Sequence, residues 1–323
     1  MSLLKSRYNL VPQMEYYDQI SCEFKPYVMF FNRRNFLSDV VNTDNNGFRF
    51  NIIKNKVSSL EDLFKEKEVS LVVGGSTAFG FGSSSDYKTI SSQLSILSNE
   101  IYINFGATAF NSMQELFLYL NFFKKFKKIK NVIILSGVND LFLSFSQKSD
   151  LWGNYFFKSE HEKLFYKRNK IKDRINAFFK HKENFNFKIN VDYQEINLLY
   201  EKIFNIWSNL ERSNSFNVYF FLQPFPSWFK KNLTKEEVSL FNLLDNSDNK
   251  AHLILNEISN VEIYQKYSKV IKKASEKNSI KYINLNDEIL KNDKKNDWLF
   301  VDRVHMTDLG YDILSKLIFN YIK

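Results

Sequence analysis

Short apolar runs alternate with longer amphipathic stretches from Val69 to the end of the chain. Several of the runs are continuously apolar, which is typical of strands buried on both faces of a sheet. The predicted strands are Ser70–Val73, Ile101–Asn104, Val132–Leu135, Val218–Leu222 and Tyr282–Leu285. Apolar residues at helical spacing lie between them, and predict helices over 88–97, around 116–126, and over 196–211, 261–276 and 308–322. This alternation predicts an α/β fold, with a parallel sheet covered by helices on both faces.

Two segments do not follow this pattern. Residues 1–66 are aromatic and polar, and Asn46-Gly47 between two partly apolar runs predicts a hairpin turn. We expect this segment to cover an edge of the sheet, while Arg33, Arg34 and Arg49 offer the alternative of contacts to an anionic substrate group. Residues 141–195 fit no core element, and from Lys158 to Lys182 they hold nine Lys or Arg against three acids. A lid over a binding site and a peripheral helical hairpin remain equal alternatives for this insertion.

The loop after the fourth predicted strand carries two prolines. Pro224 and Pro226 in Gln223-Pro224-Phe225-Pro226 predict a rigid, non-helical loop. Downstream, Thr234 and Glu237 have the spacing of a capping box and predict the start of a helix. Residues 231–258 therefore form a second excursion from the sheet.

Composition and charge exclude several classes of protein. An apolar content of 44% in 323 residues is enough for a large core. The net charge of +9 is the only feature that favours nucleic-acid binding, and no zinc-finger spacing accompanies it, so we expect no specific nucleic-acid partner. No metal-ligand cluster and no phosphate-binding loop occurs, so we expect neither a metal nor another cofactor. With one cysteine, no signal-peptide pattern and no transmembrane run, the sequence favours a cytoplasmic protein.

Candidate catalytic groups follow the predicted strands. Ser76 comes directly after the first strand and two glycines, a context that holds a hydroxyl at the carboxyl edge of a parallel sheet. A serine nucleophile needs a base, and that base needs an orienting partner. His305 suits the base because Asp302 precedes it by three residues and a helix follows, with Asp297 and Asp308 as rival acids. The other histidines, which we expect to be exposed bystanders, are His161, His181 and His252.

Four blocks of the chain together resemble the SGNH (GDSL-type) hydrolase superfamily. They are Gly75-Ser76, Asn104-Phe105-Gly106, Gly137-Val138-Asn139-Asp140 and Asp302-Arg303-Val304-His305. The resemblance implies a three-layer αβα sandwich with a flavodoxin-like, five-stranded parallel sheet. It implies a hydrolase domain over 67–323, with an N-terminal extension over 1–66 and a helical insertion over 141–195. The chain departs from the family pattern at Gly75, where many members have Asp, and at Thr77, where Leu is frequent.

The same resemblance implies a catalytic triad and an oxyanion hole. Ser76 would be the nucleophile, His305 the general base and Asp302 its orienting acid. The oxyanion donors would be the backbone N–H groups of Ser76 and Gly106 and the side-chain amide of Asn139. For Asp140 we expect no more than a bracing role in its turn.

The expected function is that of a serine esterase acting on a small acyl group, acetyl above all, carried by a carbohydrate. The segment Asp44–Arg49 resembles an element of SGNH-like proteins of surface-carbohydrate pathways, which favours a sugar as the acylated partner. Two alternatives remain open, a carbohydrate O-acyltransferase with the same triad and a non-catalytic binding protein on this fold. The oligomeric state is left open as well.

Overall fold

The N-terminal segment consists of short helices and hairpins. In the computed structural model, which describes residues 3–145, 155–158, 191–230, 232–246 and 251–323, the chain starts with helices α1 (Leu3–Leu10) and α2 (Met14–Gln19). Two antiparallel hairpins and a short helix follow: β1 (Cys22–Lys25) with β2 (Met29–Asn32), β3 (Asn51–Ile53) with β4 (Lys56–Ser58), and α3 (Leu60–Leu63). Between the hairpins, Thr43 and Arg49 form an antiparallel bridge across the turn. Gly47 in that turn has φ +87°, a conformation that glycine adopts without strain. The predicted Asn46-Gly47 turn is confirmed.

A five-stranded, fully parallel sheet forms the centre of the molecule. Its strands are β5 (Val69–Gly74), β6 (Tyr102–Gly106), β7 (Ile129–Ser136), β8 (Asn217–Leu222) and β9 (Lys281–Asn284). The spatial order is β6-β5-β7-β8-β9. This is the flavodoxin-like order, and it reverses direction between β5 and β7, where ligands of such sheets bind at the carboxyl ends of the strands. The predicted fold class is confirmed.

Helices cover both faces of the sheet. Two helices follow β5, namely α4 (Ser76–Phe79) and α5 (Ile90–Ser98). The helix α6 (Ser112–Phe122) follows β6, and α7 (Val138–Ser144) follows β7. The later helices are Tyr193–Asn214, Pro226–Phe229, Lys235–Asp245, Ala251–Ile258, Val261–Lys277, Leu285–Leu290 and Asp308–Ile322. Three 3-10 turns, Asp86–Lys88, Phe123–Lys125 and Asp293–Asn296, complete the described elements.

Alternate residues of each strand point into two separate hydrophobic cores. In β7, Val132 and Ile134 lie in one core, whereas Ile133 and Leu135 lie in the other. The first core holds apolar residues of α6 and of helices Tyr193–Asn214 and Val261–Lys277. The second holds those of α5 and of helices Leu285–Leu290 and Asp308–Ile322. Two cores separated by a sheet are the physical content of a three-layer αβα sandwich.

Residues of the N-terminal segment contribute to both cores. Phe31 and Phe48 belong to the first core, and Tyr17 and Val41 to the second. Arg49 is fully buried, and its Nε donates to Asp86 Oδ1 at 2.7 Å. Its Nη1 also donates to the carbonyl oxygen of Gly80 at 2.8 Å. The alternative in which Arg49 contacts a substrate anion is therefore wrong, because its donors already serve the protein.

The other two arginines of that alternative also have partners within the N-terminal segment. Arg34 Nε donates to the exposed carboxylate of Glu23 at 2.8 Å. The guanidinium of Arg33 lies over the ring of Phe36, 5.7 Å from its centroid.

The structure corrects both ends of the predicted insertion 141–195. Residues 141–144 continue α7, and Leu141 and Phe142 are buried in the first core. Residues 193–195 already belong to the helix Tyr193–Asn214, so the insertion is shorter than 141–195, and most of it lies outside the described residues.

Around the second excursion, one expectation is wrong and another is confirmed. Pro226 does not exclude a helix but starts the short one Pro226–Phe229, because its missing N–H is not needed in a first turn. Thr234 and Glu237 form the predicted capping box. Across the described ranges, no helix combines the length and the apolar character needed to cross a membrane.

Candidate active site

The serine of the first block lies at the carboxyl edge of the sheet. β5 ends at Gly74, which has φ +157°. The backbone of Gly74 lies close to β7, because an added Cβ would be 2.1 Å from the Leu135 carbonyl oxygen. Gly75 then precedes the first residue of α4, which is Ser76. As a first-turn residue, Ser76 has an N–H that no intrahelical acceptor uses. Ser76 is buried, with only 8% of its surface exposed.

Ser76, His305 and Asp302 form one continuous chain of hydrogen bonds. Ser76 Oγ lies 2.7 Å from His305 Nε2, and His305 Nδ1 lies 2.7 Å from Asp302 Oδ2. A proton on Nδ1 that is donated to Asp302 leaves Nε2 free to accept from the serine hydroxyl. The second carboxylate oxygen, Asp302 Oδ1, accepts from the backbone N–H groups of Val304 and His305. These bonds fix the turn that carries both residues.

The carboxyl group of Asp302 is held in its ionised form. Burial alone raises the pKa of such a group, but the attraction and hydrogen bonds of His305 outweigh it and lower the pKa of Asp302 to about 2. At neutral pH the aspartate is therefore charged. An ionised acceptor at Nδ1 stabilises the imidazolium that forms when His305 takes a proton.

Packing restricts the histidine ring as well. The ring of Phe81 lies against it, with centroids 4.4 Å apart and planes tilted by 36°. Tyr311 from the last helix donates its hydroxyl to the Phe81 carbonyl oxygen at 2.7 Å, which fixes the loop after α4. The three side chains therefore meet in one orientation although Ser76 and His305 are 229 positions apart in the sequence.

Asn139 lies beside the serine turn, on the neighbouring strand connection. It is the second residue of α7, whose N-cap is Gly137 with φ +116°. Its Nδ2 donates to the Phe110 carbonyl oxygen at 2.7 Å, which fixes the amide orientation and leaves one of its two protons for another acceptor. A Cβ on Gly75 would lie 2.7 Å from the same Nδ2. A side chain added at position 75 would therefore displace the Asn139 amide from the position it has in this structure.

The predicted role of Gly106 as an oxyanion donor needs correction. Its N–H donates to the side-chain oxygen of Asn104 at 3.0 Å and is not available to a substrate. Glycine is needed there for another reason, because an added Cβ would lie 2.1 Å from the Phe79 backbone nitrogen. Gly106 therefore allows α4, and with it Ser76, to pack directly on β6.

A free N–H remains in the loop that follows Gly106. Ala107 donates to the Gly74 carbonyl, Thr108 to Asn32 Oδ1, Phe110 to the Ala107 carbonyl and Asn111 to Gln114 Oε1. Ala109, by contrast, has no acceptor for its N–H within the described ranges. It is partly exposed and has φ +60°.

Phe110, the residue after Ala109, lies beside the serine turn. The Phe110 carbonyl oxygen accepts from the Asn139 amide, and it would lie 3.3 Å from a Cβ added at Gly75. The sequence does not indicate Ala109, because a left-handed backbone conformation is predicted at glycine or asparagine and not at alanine.

Asp140 braces the turn from below, as expected. It is buried and accepts from the backbone and hydroxyl groups of Ser112, and from the hydroxyl of Tyr200 at 2.9 Å. Tyr200 contacts Tyr267, which donates to the Gly137 carbonyl at 2.5 Å. Burial raises the pKa of Asp140 to about 6. This network joins the turn that carries Asn139 to two helices on one face of the sheet.

The rival acids contact other parts of the chain. Asp308 accepts from the backbone and hydroxyl of Ser84, and Thr307 rather than Asp308 caps the last helix. Asp297 contributes its backbone carbonyl to Lys230. Among the histidines, His161 and His181 lie outside the described residues, and His252 lies in the helix Ala251–Ile258. No group of three metal-ligating side chains occurs in the described part of the chain.

Comparisons with known proteins give likenesses in fold only. No protein-family model matches the chain, and no curated protein is significantly similar to it in sequence. Among solved structures, it is similar to a lipase/acylhydrolase from Enterococcus faecalis, with 14% identity over 80% of this chain and 95% of that one, and a TM-score of 0.44. It is also similar to the acetyl xylan esterase AlAXEase, with 14% identity over 79% of this chain and 100% of that one, and a TM-score of 0.40.

A third likeness is to a member of the lipolytic protein G-D-S-L family from Veillonella parvula. The identity is 12% over 78% of this chain and 97% of that one, with a TM-score of 0.42. Identities this low transfer no activity. The chain itself has the five-stranded α/β fold that the resemblance to the SGNH hydrolase superfamily predicts, and this fold brings the serine, histidine and aspartate of its blocks into hydrogen-bond contact.

Proposed function

We propose that the protein is an SGNH-type serine esterase with Ser76 as nucleophile, His305 as general base and Asp302 as the acid that orients the base. The observation that carries this proposal is the pair of 2.7 Å contacts from Ser76 Oγ to His305 and from His305 to Asp302. A binding protein has no need of a serine activated in this way, so the geometry favours catalysis over the non-catalytic alternative.

The proposed reaction proceeds in two steps. Ser76 Oγ attacks the ester carbonyl while its proton passes to His305 Nε2, and a tetrahedral oxyanion forms. When this intermediate collapses, the alkoxide leaves and takes the proton from His305, and the acyl group stays on Ser76. Water then attacks the acyl-enzyme with His305 again as base, which releases the carboxylic acid and restores the serine.

The oxyanion hole that we propose differs from the sequence prediction in one donor. The Ser76 N–H and the Asn139 amide remain, and the Ala109 N–H replaces that of Gly106, which donates to Asn104. Each such donor typically contributes about a hundredfold or more to the rate of acyl transfer.

For the substrate, we propose a small acyl group, acetyl above all, on a carbohydrate hydroxyl. The 8% exposure of Ser76 and the Phe81 ring against His305 favour a short acyl chain. The proposal of a sugar as the acylated partner rests on the resemblance of the Asp44–Arg49 element to SGNH-like proteins of surface-carbohydrate pathways. The carboxylate of Asp44 accepts from three backbone N–H groups of its own segment. We therefore propose that this element contributes through its shape and not through the charge of Asp44.

Two experiments test the proposed substrate, one that varies the length of the acyl chain and one that varies the sugar. Rates on p-nitrophenyl acetate, butyrate and octanoate should fall steeply with length, and acetylated oligosaccharides should release acetate. A free sugar added to the p-nitrophenyl acetate reaction distinguishes transfer from hydrolysis, because only a transferase yields acetylated sugar. A preference for octanoate, or no release of acetate from any acetylated sugar, would overturn the substrate while the serine chemistry stands.

A further inference from the structure

An arginine from the first helix of the chain reaches the catalytic aspartate. Arg7 lies in α1 and is 7% exposed. Its Nη1 donates to Asp18 Oδ2 at 2.7 Å, and its Nη2 lies 3.9 Å from Asp302 Oδ2. That carboxylate oxygen is the one in contact with His305 Nδ1. Arg7 Nε is buried and has no hydrogen-bond partner among the described residues.

A buried guanidinium needs compensating negative charge. Burial of an unpaired cation is unfavourable. When one member of a buried ion pair is removed, the desolvation cost of the remaining charge is no longer compensated. Asp18 supplies one negative charge, but its side chain is 30% exposed and partly screened by water. Asp302, whose side chain is 11% exposed, supplies the other from a drier position. Arg7 is therefore shared between a surface carboxylate and the carboxylate of the candidate triad.

We propose that Arg7 is a positioning residue, which holds Asp302 Oδ2 in line with His305 and sets the pH at which His305 acts as base. This inference rests on the proposed function of the same site. It makes the N-terminal helices part of the catalytic machinery, a role that the sequence pattern of residues 1–66 did not indicate.

The second N-terminal helix and its N-cap residue, Gln13, contact the loop beside the triad. Gln13 donates to the Gly82 carbonyl at 3.0 Å, and Tyr17 donates to the Gly80 carbonyl at 2.8 Å. Both carbonyls belong to the loop after α4, one on each side of Phe81. A Cβ on Gly82 would lie 3.6 Å from His305 Cβ, so this loop packs directly on the histidine.

The direction of the effect follows from the charges around Asp302. The groups that face it are His305 and two backbone N–H groups of its own loop, Arg7 from α1 and Tyr311 from the last helix. Asp18 and, through it, the Tyr8 hydroxyl lie on the far side of Arg7. The positive charge of Arg7 offsets part of the negative charge that favours a protonated His305. Removal of Arg7 should therefore keep His305 protonated to higher pH.

The pH profile of kcat/KM on p-nitrophenyl acetate tests this directly. In Arg7→Gln, we expect the acid-side midpoint to rise by about half a pH unit or more and the plateau to fall about threefold to tenfold. Arg7→Lys keeps the charge and should keep the midpoint. Asp18→Asn removes a negative charge and should move the midpoint the opposite way. Arg34→Gln removes an exposed arginine of the same segment and serves as the matched control.

An NMR titration of His305 in the same variants needs no turnover and separates this inference from the proposed function. A shifted His305 titration in a protein without esterase activity would support the role of Arg7 and overturn the proposed function. An active Arg7→Gln variant with an unchanged midpoint and an unchanged titration would mean that Arg7 only stabilises the fold. If Arg7→Gln does not fold, the inference still requires an unchanged midpoint in Arg7→Lys and a lowered midpoint in Asp18→Asn, and equal midpoints in these two variants would overturn it.

Discussion

At the scale of single residues, the site depends on one missing side chain as much as on those present. Gly75 leaves the space that the Asn139 amide occupies, and the amide is held there by the Phe110 carbonyl. The sequence marks Gly75 as a departure from the SGNH pattern, and the structure shows that a Cβ there would lie 2.7 Å from Asn139 Nδ2.

Gly75→Ala should therefore act as a mutation of the oxyanion hole. The added methyl group would displace Asn139 Nδ2, and we expect kcat to fall about a hundredfold, the typical effect of a lost donor. Steady-state kinetics on p-nitrophenyl acetate, with a melting curve to confirm folding, make the measurement. Asn139→Ala should give a similar loss, and the double variant should lose little more, because both changes remove the same donor. Fully multiplied losses would contradict this account.

The residue scale also shows where sequence reasoning ends. The order of the blocks and the Asp-x-x-His spacing were enough to choose Ser76, Asp302 and His305, which the structure brings into contact. Gly106 was chosen for its residue type, and its N–H is bonded to Asn104. Ala109 and Arg7 were not chosen, because their relevance comes from backbone conformation and from a contact across 295 positions that no local pattern records.

At the scale of elements, the helix α7 carries a buried carboxyl group beneath the site. Asp140 has three hydrogen-bond donors, yet burial raises the pKa of its carboxyl group to about 6, above its usual value of 3.8. A carboxyl whose pKa is raised by folding costs stability once the unfolded chain ionises. The cost begins as pH rises through about 4 in the unfolded state and is complete above about 6 in the folded state.

Comparison of the wild type with Asp140→Asn isolates this effect. We expect the wild type to lose stability relative to the variant between pH 4 and pH 6, by about 2 to 3 kcal/mol in all, and no further difference to develop above pH 7. Urea unfolding at several pH values measures it, with Asp312→Asn on the surface as control. A pH-independent difference between wild type and Asp140→Asn would show that Asp140 is ionised throughout.

The elements themselves were largely predictable. Continuous apolar runs identified all five strands of the central sheet, because strands buried on both faces leave few polar residues between turns. The start of the last helix at Asp308 and the Thr234 capping box were also predicted correctly, since both depend on local chemistry. The pattern predicts a break in regular structure at Pro226 because proline is excluded from a helix interior. Proline is tolerated in the first turn of a helix, and Pro226 lies there.

At the scale of the whole molecule, the N-terminal segment is tied to the sheet by a buried ion pair. Arg49 is fully buried, bonds to Asp86 and donates to carbonyl oxygens of the loop after Ser76. Tyr17 shares this centre, since it accepts from Arg49 Nη1 at 2.8 Å. The segment therefore helps to stabilise the sheet edge that carries the candidate triad, and its description as edge cover understates its role.

Arg49→Met should destabilise the whole protein. The change leaves Asp86 buried without its partner, and loss of one member of a buried pair typically costs about 3 to 5 kcal/mol. Chemical unfolding measures the loss, and Arg34→Met, at an exposed pair, should cost less than about 1 kcal/mol. Equal effects of the two changes would contradict the structural role given to Arg49.

The central claim is that Ser76 is a nucleophile activated by His305. A fluorophosphonate probe followed by peptide mass spectrometry tests it most directly, because the probe reacts only with an activated serine and needs no knowledge of the substrate. We predict one adduct, on the peptide that contains Ser76, no adduct in Ser76→Ala, and labelling slowed by several orders of magnitude in His305→Ala. An adduct at another residue, or equal labelling of the wild type and Ser76→Ala, would contradict the account.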